Sequence, residues 1–546
     1  MGKYSADVAK RKNENVLFFI ALCSLFGCSR HAQPIQAGNI SVPHERTIIW
    51  KSQSDFGDKV FTAWANEPIE ITTMNGKGNV PRVLLAKLLL KKDISETNDL
   101  ITKLKVWGVS GSSWALNKKG DYDFTITPLT TILYLFGDQP KLLYPATKNY
   151  LLNILLSEAG NKFRYKAPKT FGIFDETENH ILMTEGSRYL KNRWIMLHGN
   201  SSAKHNNINN GMEGKLLAFL AQMKTGGLYE FNSLPYIGYT ITALLNLEAF
   251  ASEQVSTAAR DVLDYLNWTY ALGSYQLKHY PPMRRRYEKA SITSLTTDYQ
   301  SIIMNTWLSY SPDAHFNRSI NDRGVHALMA ACLPYRPADK VVEIIFNKGD
   351  GYFVKLGHGK NSSPEIYAAG KKYLLSAGGV NRGKSSEIIA RPICLFLNDT
   401  MGNLSSVIHL AGPGKDFMEW NNTGVYKNFA CTAGSVYIPA LFKPKRKNET
   451  WSIYAPNDSL LIAVHSEIEF GLVAVFETTD VDALLSQLVR ANPDVKLLKS
   501  EFRFPLGRSL TYDVHAPKNK WVMISDNAQM LNRDFDQWPL MEGDLQ

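Results

Sequence analysis

Two short segments contain side chains whose chemistry fits together. Asn179 and His180 are adjacent in the first segment, and Tyr236 and Tyr239 lie three residues apart in the second. An amide and an imidazole can donate hydrogen bonds to the oxygens of a carboxylate. A phenol can take up or release a proton if its surroundings shift its pKa. Together these groups can remove the proton from the carbon beside a sugar carboxylate, because the negative charge then spreads into a neutralised carboxylate.

Helices must position these groups. Asp175 and Glu178 have the spacing of a capping box, which predicts a helix start just before Asn179. Neighbouring side chains on a helix lie about 100° apart around its axis, so Asn179 and His180 can border one cleft. We expect Tyr236 and Tyr239 on one face of a second helix, which the chain enters through a polar loop containing Asn232.

The whole chain divides into a helical part and a strand-rich part. From about Pro81 to Leu333, apolar residues recur at helical spacing in VLLAKLLLKK, KNYLLNILLSEAG, NHILMTEGSRYLKNRW, MEGKLLAFLAQM, YTITALLNLEAF and ARDVLDYLNWTYAL. After Pro337 the pattern changes to short strand-like runs, beginning with VVEIIF and GYFVKLGH. One helix is predicted among the strands, at VDALLSQLVRA. The sequence therefore predicts a many-helix domain followed by an antiparallel β-sandwich.

The N-terminus has the pattern of a secretion signal. A basic region precedes an apolar run from Val16 to Gly27, which is too short to span a bilayer. The run ends at Leu25-Phe26-Gly27-Cys28, which resembles a bacterial lipobox. The resemblance implies lipidation of Cys28 and anchoring at the cell envelope, in the periplasm or on the outer-membrane surface. The expected segments are 1–28 signal peptide, 29–48 tether, 49–335 helical domain and 336–546 β domain.

Composition limits the other classes of function. The chain has 546 residues, 21% of them charged, and a formal net charge of +10 without a run typical of nucleic-acid binding. A modest basic excess favours polyanions such as acidic polysaccharides. Beyond the signal, Cys332, Cys394 and Cys431 form an odd set. An odd number of cysteines excludes a complete disulfide framework, so either all three are buried thiols or two form a bridge and one is free. Their spacing does not match that of a zinc site.

The chemical motif resembles one family. Adjacent Asn-His on one helix, followed by a tyrosine after a Glu-x-Asn-Ser loop, is similar to the toroid-type polysaccharide lyases, which include alginate lyases and heparinase-like enzymes. The resemblance implies an incomplete (α/α) toroid followed by a β-sandwich, and β-elimination of an acidic, uronate-containing polysaccharide. In this family Asn179 and His180 would neutralise the uronate. Tyr236 would be the base or acid, with Tyr239 in reserve, and no cofactor is obligatory.

The resemblance also suggests residues around the reacting group. In the segment that resembles the start of the family's sandwich, His358 and Tyr367 are the candidates, and His358 joins the expected catalytic set. Many relatives have an aspartate shortly after this histidine, whereas this chain reads His358-Gly359-Lys360-Asn361, so we predict no metal site. The expected substrate-binding residues are Glu178, Glu230, Asn232, Arg284, Arg286 and Tyr367.

Two other classes of function remain open. A glycoside hydrolase on an α/α toroid needs paired carboxylates, for which Glu178, Glu230 and Asp298 are available. A glycan-binding lipoprotein without turnover is the second alternative, and the missing aspartate after His358 favours it. Elimination creates a conjugated double bond that absorbs ultraviolet light, and hydrolysis does not, so absorbance separates the lyase from the hydrolase.

Overall fold

The structure is a computed structural model. It describes residues 53–69, 79–112, 119–156, 163–200, 202–234, 236–280, 282–284, 295–296, 298–311, 324–359, 364–378, 388–389, 392–398, 402–410 and 423–545. All of these residues lie within one compact unit, Gln36–Gln546. The predicted signal and lipobox lie outside the described residues, and so do Cys28 and Arg286.

The first part of the described chain is helical. Its helices are α1 (Gln53–Ala65), α2 (Asn79–Leu89), α3 (Ile94–Lys103), α4 (Asp123–Phe136), α5 (Pro145–Tyr150), α6 (Glu178–Ile181), α7 (Ser187–Leu197), α8 (Met212–Gly226), α9 (Ile237–Phe250), α10 (Glu253–Gly273), α11 (Tyr299–Leu308), α12 (Ala327–Cys332) and α13 (Asp339–Phe346). Two π-helical segments follow α5 and α6 directly, at Leu151–Leu155 and Leu182–Gly186. Each of the six segments predicted from helical periodicity is confirmed as helical over most of its described residues; residues 157–160, which end the second segment, lie outside the described part of the chain.

The second part is built from antiparallel strands, and three short strands also interrupt the helical part, between α10 and α11. In chain order the strands are β1 (Ser274–Tyr275), β2 (Lys278–His279), β3 (Met283–Arg284), β4 (Tyr352–Leu356), β5 (Glu365–Gly370), β6 (Tyr373–Gly378), β7 (Ile388–Ile389), β8 (Ile393–Leu397), β9 (Ile408–Leu410), β10 (Val425–Tyr426), β11 (Phe429–Thr432), β12 (Val436–Tyr437), β13 (Pro444–Lys447), β14 (Ser452–Asn457), β15 (Leu460–Ser466), β16 (Gly471–Phe476), β17 (Glu501–Arg503), β18 (Ser509–Tyr512), β19 (Met523–Asp526), β20 (Gln529–Met530) and β21 (Glu542–Leu545). The predicted helix among them is confirmed as α14 (Val481–Ala491).

Two large sheets dominate this part. One has seven strands in the order β12-β9-β8-β6-β5-β4-β21, and the other has six in the order β10-β11-β16-β15-β14-β13. A four-stranded sheet, β17 to β20, and two short pairs, β1-β2 and β3-β7, complete the described strands. Strand β3 comes from the helical part of the chain and pairs with β7, so backbone hydrogen bonds join the two parts.

The central strands of the seven-stranded sheet are buried on both faces. Along β5, Ile366 and Ala368 belong to a core shared with residues of the six-stranded sheet. Tyr367 and Ala369 belong to the core formed by the helices. Because successive side chains on a strand point to opposite faces, this one strand contributes to both cores. The structure thus confirms the order of a helical part followed by an antiparallel β part.

One predicted strand is wrong. The run VVEIIF lies in helix α13, so the helices continue past residue 335 to Phe346. Its buried residues Val341, Val342, Ile344 and Ile345 have helical spacing. Their β-branched side chains favoured a strand, but the packed apolar face of the helix outweighs that preference.

Two further features concern the sulfur chemistry and the membrane. Cys332, Cys394 and Cys431 are free and buried, as the interpretation of three buried thiols predicted. Among the described residues, no helix combines the length and the apolar character needed to cross a membrane.

Candidate functional site

Asn179 and His180 lie in the first turn of α6, as predicted, but Asp175 does not cap this helix. The helix begins at Glu178, and the residue before it, Thr177, makes no side-chain capping bond. Asp175 instead forms an ion pair with Lys166 at 2.7 Å, within an isolated β-bridge between the same two residues. The capping prediction is therefore wrong, because the carboxylate is held by a neighbouring segment.

His180 is paired with a carboxylate that sequence reasoning missed. Its Nδ1 lies 2.5 Å from Oδ2 of Asp123, the first residue of α4, and both side chains are buried. Burial lowers the pKa of His180, but the Asp123 carboxylate raises it, with smaller contributions from Glu176 and Asp121, to about 9. The imidazole is therefore positively charged at neutral pH and can donate to an anion.

The oxygen of the Asn179 side-chain amide accepts a hydrogen bond, whereas its nitrogen has none to donate to among the described residues. The hydroxyl of Thr177 donates to Asn179 Oδ1 at 2.6 Å. Asn179 Nδ2 has no hydrogen-bond partner within the described part of the chain, although the residue is only 1% exposed. A buried donor without a partner is costly, so this nitrogen is a natural place for an acceptor from a bound ligand.

Tyr239 joins the same cluster through Phe124. The ring of Phe124 meets the ring of His180 edge to face at 5.5 Å and that of Tyr239 at 4.3 Å. Tyr239 also contacts the rings of His326 at 4.6 Å and Tyr299 at 6.1 Å. The imidazole of His180 and the phenol of Tyr239 therefore both contact the same phenylalanine ring.

A buried arginine, Arg82, lowers the pKa of the Tyr239 phenol. The Arg82 guanidinium carbon lies 5.9 Å from the centre of the Tyr239 ring. Burial raises the pKa of Tyr239, Arg82 lowers it, and Tyr299, Tyr236 and Asp121 raise it again, so that the pKa is about 12. At neutral pH Tyr239 carries its proton, which suits the role of an acid.

Tyr236 lies at the entrance of the helix that carries Tyr239. It is the residue just before α9, and its backbone N–H donates to Ser233 O at 3.0 Å. Its side chain is partly exposed, whereas Tyr239 is buried. Since Tyr236 is close enough to raise the pKa of Tyr239, the two phenols are neighbours, and Tyr236 is the more accessible.

A second polar cluster lies where the helical part meets the seven-stranded sheet. Glu365, a residue that sequence reasoning missed, accepts from Asn232 Nδ2 at 2.7 Å and from the Tyr367 hydroxyl, and bonds His358 Nε2 at 2.5 Å. The His358 ring stacks on Phe231 at 3.8 Å. The structure thus places His358 and Tyr367 in a buried junction with Asn232.

Glu178 and Arg284 both contact Tyr229, in the segment that leads to this junction, and Glu230 is the next residue of that segment. Glu178 Oε1 accepts a hydrogen bond from the backbone N–H of Tyr229. The Arg284 guanidinium carbon lies 3.6 Å from the centre of the Tyr229 ring, and Glu230 is buried. Asp298, a spare carboxylate for hydrolysis, caps α11 by accepting from two backbone N–H groups, and so has a structural role.

One group of described residues has the composition of a metal site. Asp121, Asp123 and His180 each offer one ligand atom, and these atoms lie within 4.8 Å of one another. Two carboxylates and an imidazole suit a divalent cation. However, the short bond between His180 and Asp123 already engages one atom of each, which supports a role in holding a charged imidazole.

The missed residues gave weak or no signals. Asp121 and Asp123 directly precede the apolar run of α4, which marks a helix start, but nothing in the sequence pairs them with His180. His326 stands in a segment without a chemical motif, whereas Glu365 lies between the candidates His358 and Tyr367 and has no separate signal of its own. Neither a scan against protein-family models nor a search of curated proteins finds a match to this chain.

Proposed function

We propose that this protein is a polysaccharide lyase that cleaves an acidic, uronate-containing polysaccharide by β-elimination. The observation that carries the proposal is a buried cluster: the imidazole of His180, paired with Asp123, and the phenol of Tyr239 both contact Phe124, and Asn179 adjoins His180 on α6. These are the groups that the reaction needs, and they come from three separate helices.

The first role is neutralisation of the uronate carboxylate. An imidazolium at His180 supplies a positive charge, because the Asp123 carboxylate keeps its pKa at about 9. The Nδ2 group of Asn179 supplies a neutral donor next to it. A carboxylate bound by both groups can accept the electron pair left when the neighbouring carbon loses its proton.

The second role is proton transfer by a phenol. Tyr236 is accessible, and Tyr239 is buried beside Arg82. The phenolate of one tyrosine would take the proton from the carbon beside the carboxylate, and the protonated phenol of the other would give its proton to the departing glycosidic oxygen. The two tyrosines are neighbours, so both roles can be filled at one place.

We also propose a finer architecture for the two parts of the chain and a location for the protein in the cell. The helical part would form an incomplete (α/α) toroid, and the two large sheets a β-sandwich. Lipidation of Cys28 would hold the enzyme at the bacterial cell envelope, where the partner is a polysaccharide and not a nucleic acid.

A screen of anionic polysaccharides, followed by ultraviolet absorbance, tests this function. We expect an absorbing product from at least one uronate polymer. Asn179→Ala and the phenylalanine variant of the catalytic tyrosine should each lower kcat by about 10²-fold or more, with unfolding unchanged. Tyr144→Phe, at an exposed tyrosine, is the control and should keep full activity.

The outcomes separate the alternatives. New reducing ends without absorbance would indicate a hydrolase, and binding without any cleavage would indicate a glycan-binding protein. If Tyr236→Phe and Tyr239→Phe both retain full kcat, the phenols have no catalytic role and the proposed mechanism is wrong.

A further inference from the structure

A cavity of about 610 Å³ opens in the β part of the chain. It is enclosed by the first turns of α14, by the turn between β17 and β18 and by the end of β16. Cavities that bind small molecules usually measure roughly 300–1,000 Å³. The lining contains none of the residues around His180, so the cavity is a second candidate site in the molecule.

The apolar lining of the cavity includes two aromatic rings. Val475, Leu484 and Phe504 are buried, and Phe476 is partly exposed. The rings of Phe476 and Phe504 meet edge to face, with their centres 6.1 Å apart. Aromatic rings offer a large apolar surface with a defined orientation, so this part of the lining suits a flat apolar face of a ligand.

Two hydrogen-bond donors in the lining lack acceptors. Arg508 donates from Nε to Asp526 at 2.9 Å and from Nη1 to Asn428 at 3.2 Å. Its buried Nη2 donates to none of the described residues. The Tyr373 hydroxyl likewise forms no hydrogen bond with the described part of the chain. An unpaired buried donor is costly, so acceptors on a ligand would stabilise this arrangement.

Two carboxylates in the lining can supply acceptors. Glu477 is exposed and makes no ion pair or hydrogen bond with any described residue. One oxygen of Asp480 accepts from the Ala483 N–H at 2.9 Å and so caps α14, and its other oxygen has no described donor. Burial raises the pKa of Tyr373, the Glu477 carboxylate raises it further and Arg508 lowers it. The phenol therefore lies near both charges.

This combination of unpaired donors and acceptors indicates the class of ligand. An anion would satisfy the donors but would be repelled by Glu477 and Asp480. An organic cation would satisfy the carboxylates and leave the donors unpaired. A hydroxyl group both donates and accepts, so an uncharged molecule with several hydroxyls can satisfy both sets. A pyranose ring also has apolar C–H faces, which can pack on Phe476 and Phe504.

We propose that this cavity binds a short, uncharged oligosaccharide through Arg508, Tyr373 and Glu477. The sugar hydroxyls accept from Arg508 Nη2 and the Tyr373 hydroxyl and donate to the Glu477 carboxylate, while a ring face packs on the two phenylalanines. Because the carboxylates repel polyanions, the ligand differs from the uronate polymer of the proposed reaction. The site would hold the protein on a neutral glycan, and its occupation does not depend on cleavage.

Isothermal titration calorimetry of the full chain tests this site without any turnover. The probes are neutral trisaccharides built from glucose, mannose, galactose or xylose units. We expect at least one of them to bind saturably to the wild type. Glu477→Gln should weaken that binding about tenfold, because a hydrogen bond to a charged acceptor is stronger than one to a neutral acceptor. Tyr373→Phe removes one hydroxyl and should weaken binding several-fold.

Neither substitution removes a hydrogen bond between described residues, so both variants should melt close to the wild type. Glu469→Gln, at an exposed glutamate of the turn between β15 and β16, is the matched control and should bind the sugar like the wild type. The proposal is overturned if none of the neutral trisaccharides binds. Equal binding by the wild type, Glu477→Gln and Tyr373→Phe would overturn it too, because the sugar would then occupy another place.

A uronate trisaccharide separates this site from the proposed lyase reaction. We expect its binding to be the same in the wild type and in Glu477→Gln, since a polyanion avoids this cavity. Displacement of the neutral trisaccharide by the uronate trisaccharide would contradict the proposal. Cleavage of a uronate polymer by a protein that binds no neutral trisaccharide refutes this site alone. Neutral-sugar binding without any cleavage refutes the proposed reaction alone.

Discussion

Replacement of Asp123 by asparagine tests the charge of the His180 imidazole directly. The Asp123 carboxylate lies 2.5 Å from His180 Nδ1 and is the group that raises the histidine pKa above its ordinary value of 6.5. Asparagine has nearly the same shape but no charge. In the variant, burial lowers the pKa of His180 and only the smaller contributions of Glu176 and Asp121 oppose it, so we expect a neutral imidazole at pH 7.

The size of the effect follows from the pKa itself. A rise from 6.5 to about 9 corresponds to roughly 3 kcal/mol, because each pKa unit is worth about 1.4 kcal/mol. A pKa that is higher in the folded than in the unfolded state stabilises the fold fully below pH 6.5. That stabilisation is lost as the pH rises through about 9.

Urea unfolding at two pH values measures this contribution. Asp123→Asn should lower the free energy of unfolding by about 3 kcal/mol more at about pH 6 than at about pH 10. Nuclear magnetic resonance of the His180 ring should show its titration move from near 9 to below 6.5.

Asp138→Asn is the matched control. It removes the carboxylate of an exposed pair with His198 at 2.8 Å, and an exposed pair contributes at most about 1 kcal/mol. If Asp123→Asn lowers stability by the same amount at both pH values, the charged state of His180 has been assigned wrongly.

Two further predictions concern packing and the junction. Gly238→Ala would place a methyl group 2.4 Å from the His326 ring, so we expect a loss of about 1–3 kcal/mol in thermal unfolding and a lower kcat. Gly214→Ala, in a helix with open space around it, should instead raise stability by roughly 0.4–1 kcal/mol, and a loss there would show that this position does not accommodate the added methyl group. Glu365→Gln removes the carboxylate charge to which both His358 and Asn232 are hydrogen-bonded, so the free energy of unfolding in urea should fall by about 3 kcal/mol. An unchanged midpoint would mean that the junction does not contribute to stability.

The helices and most strands could be predicted because their signals are local. The segment YTITALLNLEAF carries its own period, and the structure places it in α9. The prediction for VVEIIF failed because its β-branched residue types favour a strand whereas the spacing of its apolar residues favours a helix. The packing of the apolar face of α13 decides for the helix. Propensity is a weak guide where tertiary packing opposes it.

The site could be predicted only in part. Asn179 and His180 are adjacent, so their joint location on one helix follows from sequence. Asp123 was missed because its partner His180 lies far along the chain, and the bond of Glu365 to Asn232 is likewise formed only in the folded protein. Pairing at such distances leaves no periodic trace in the sequence.

The buried cysteines have a consequence for where the protein can fold. Burial raises the pKa of Cys332 to about 12, and it raises that of Cys431 well above the usual value. Because the thiolate is the reactive form, these sulfurs are nearly inert to oxidants and to mixed-disulfide exchange. The described fold uses no disulfide among them, so it can form in a reducing compartment and persist in an oxidising one without rearrangement.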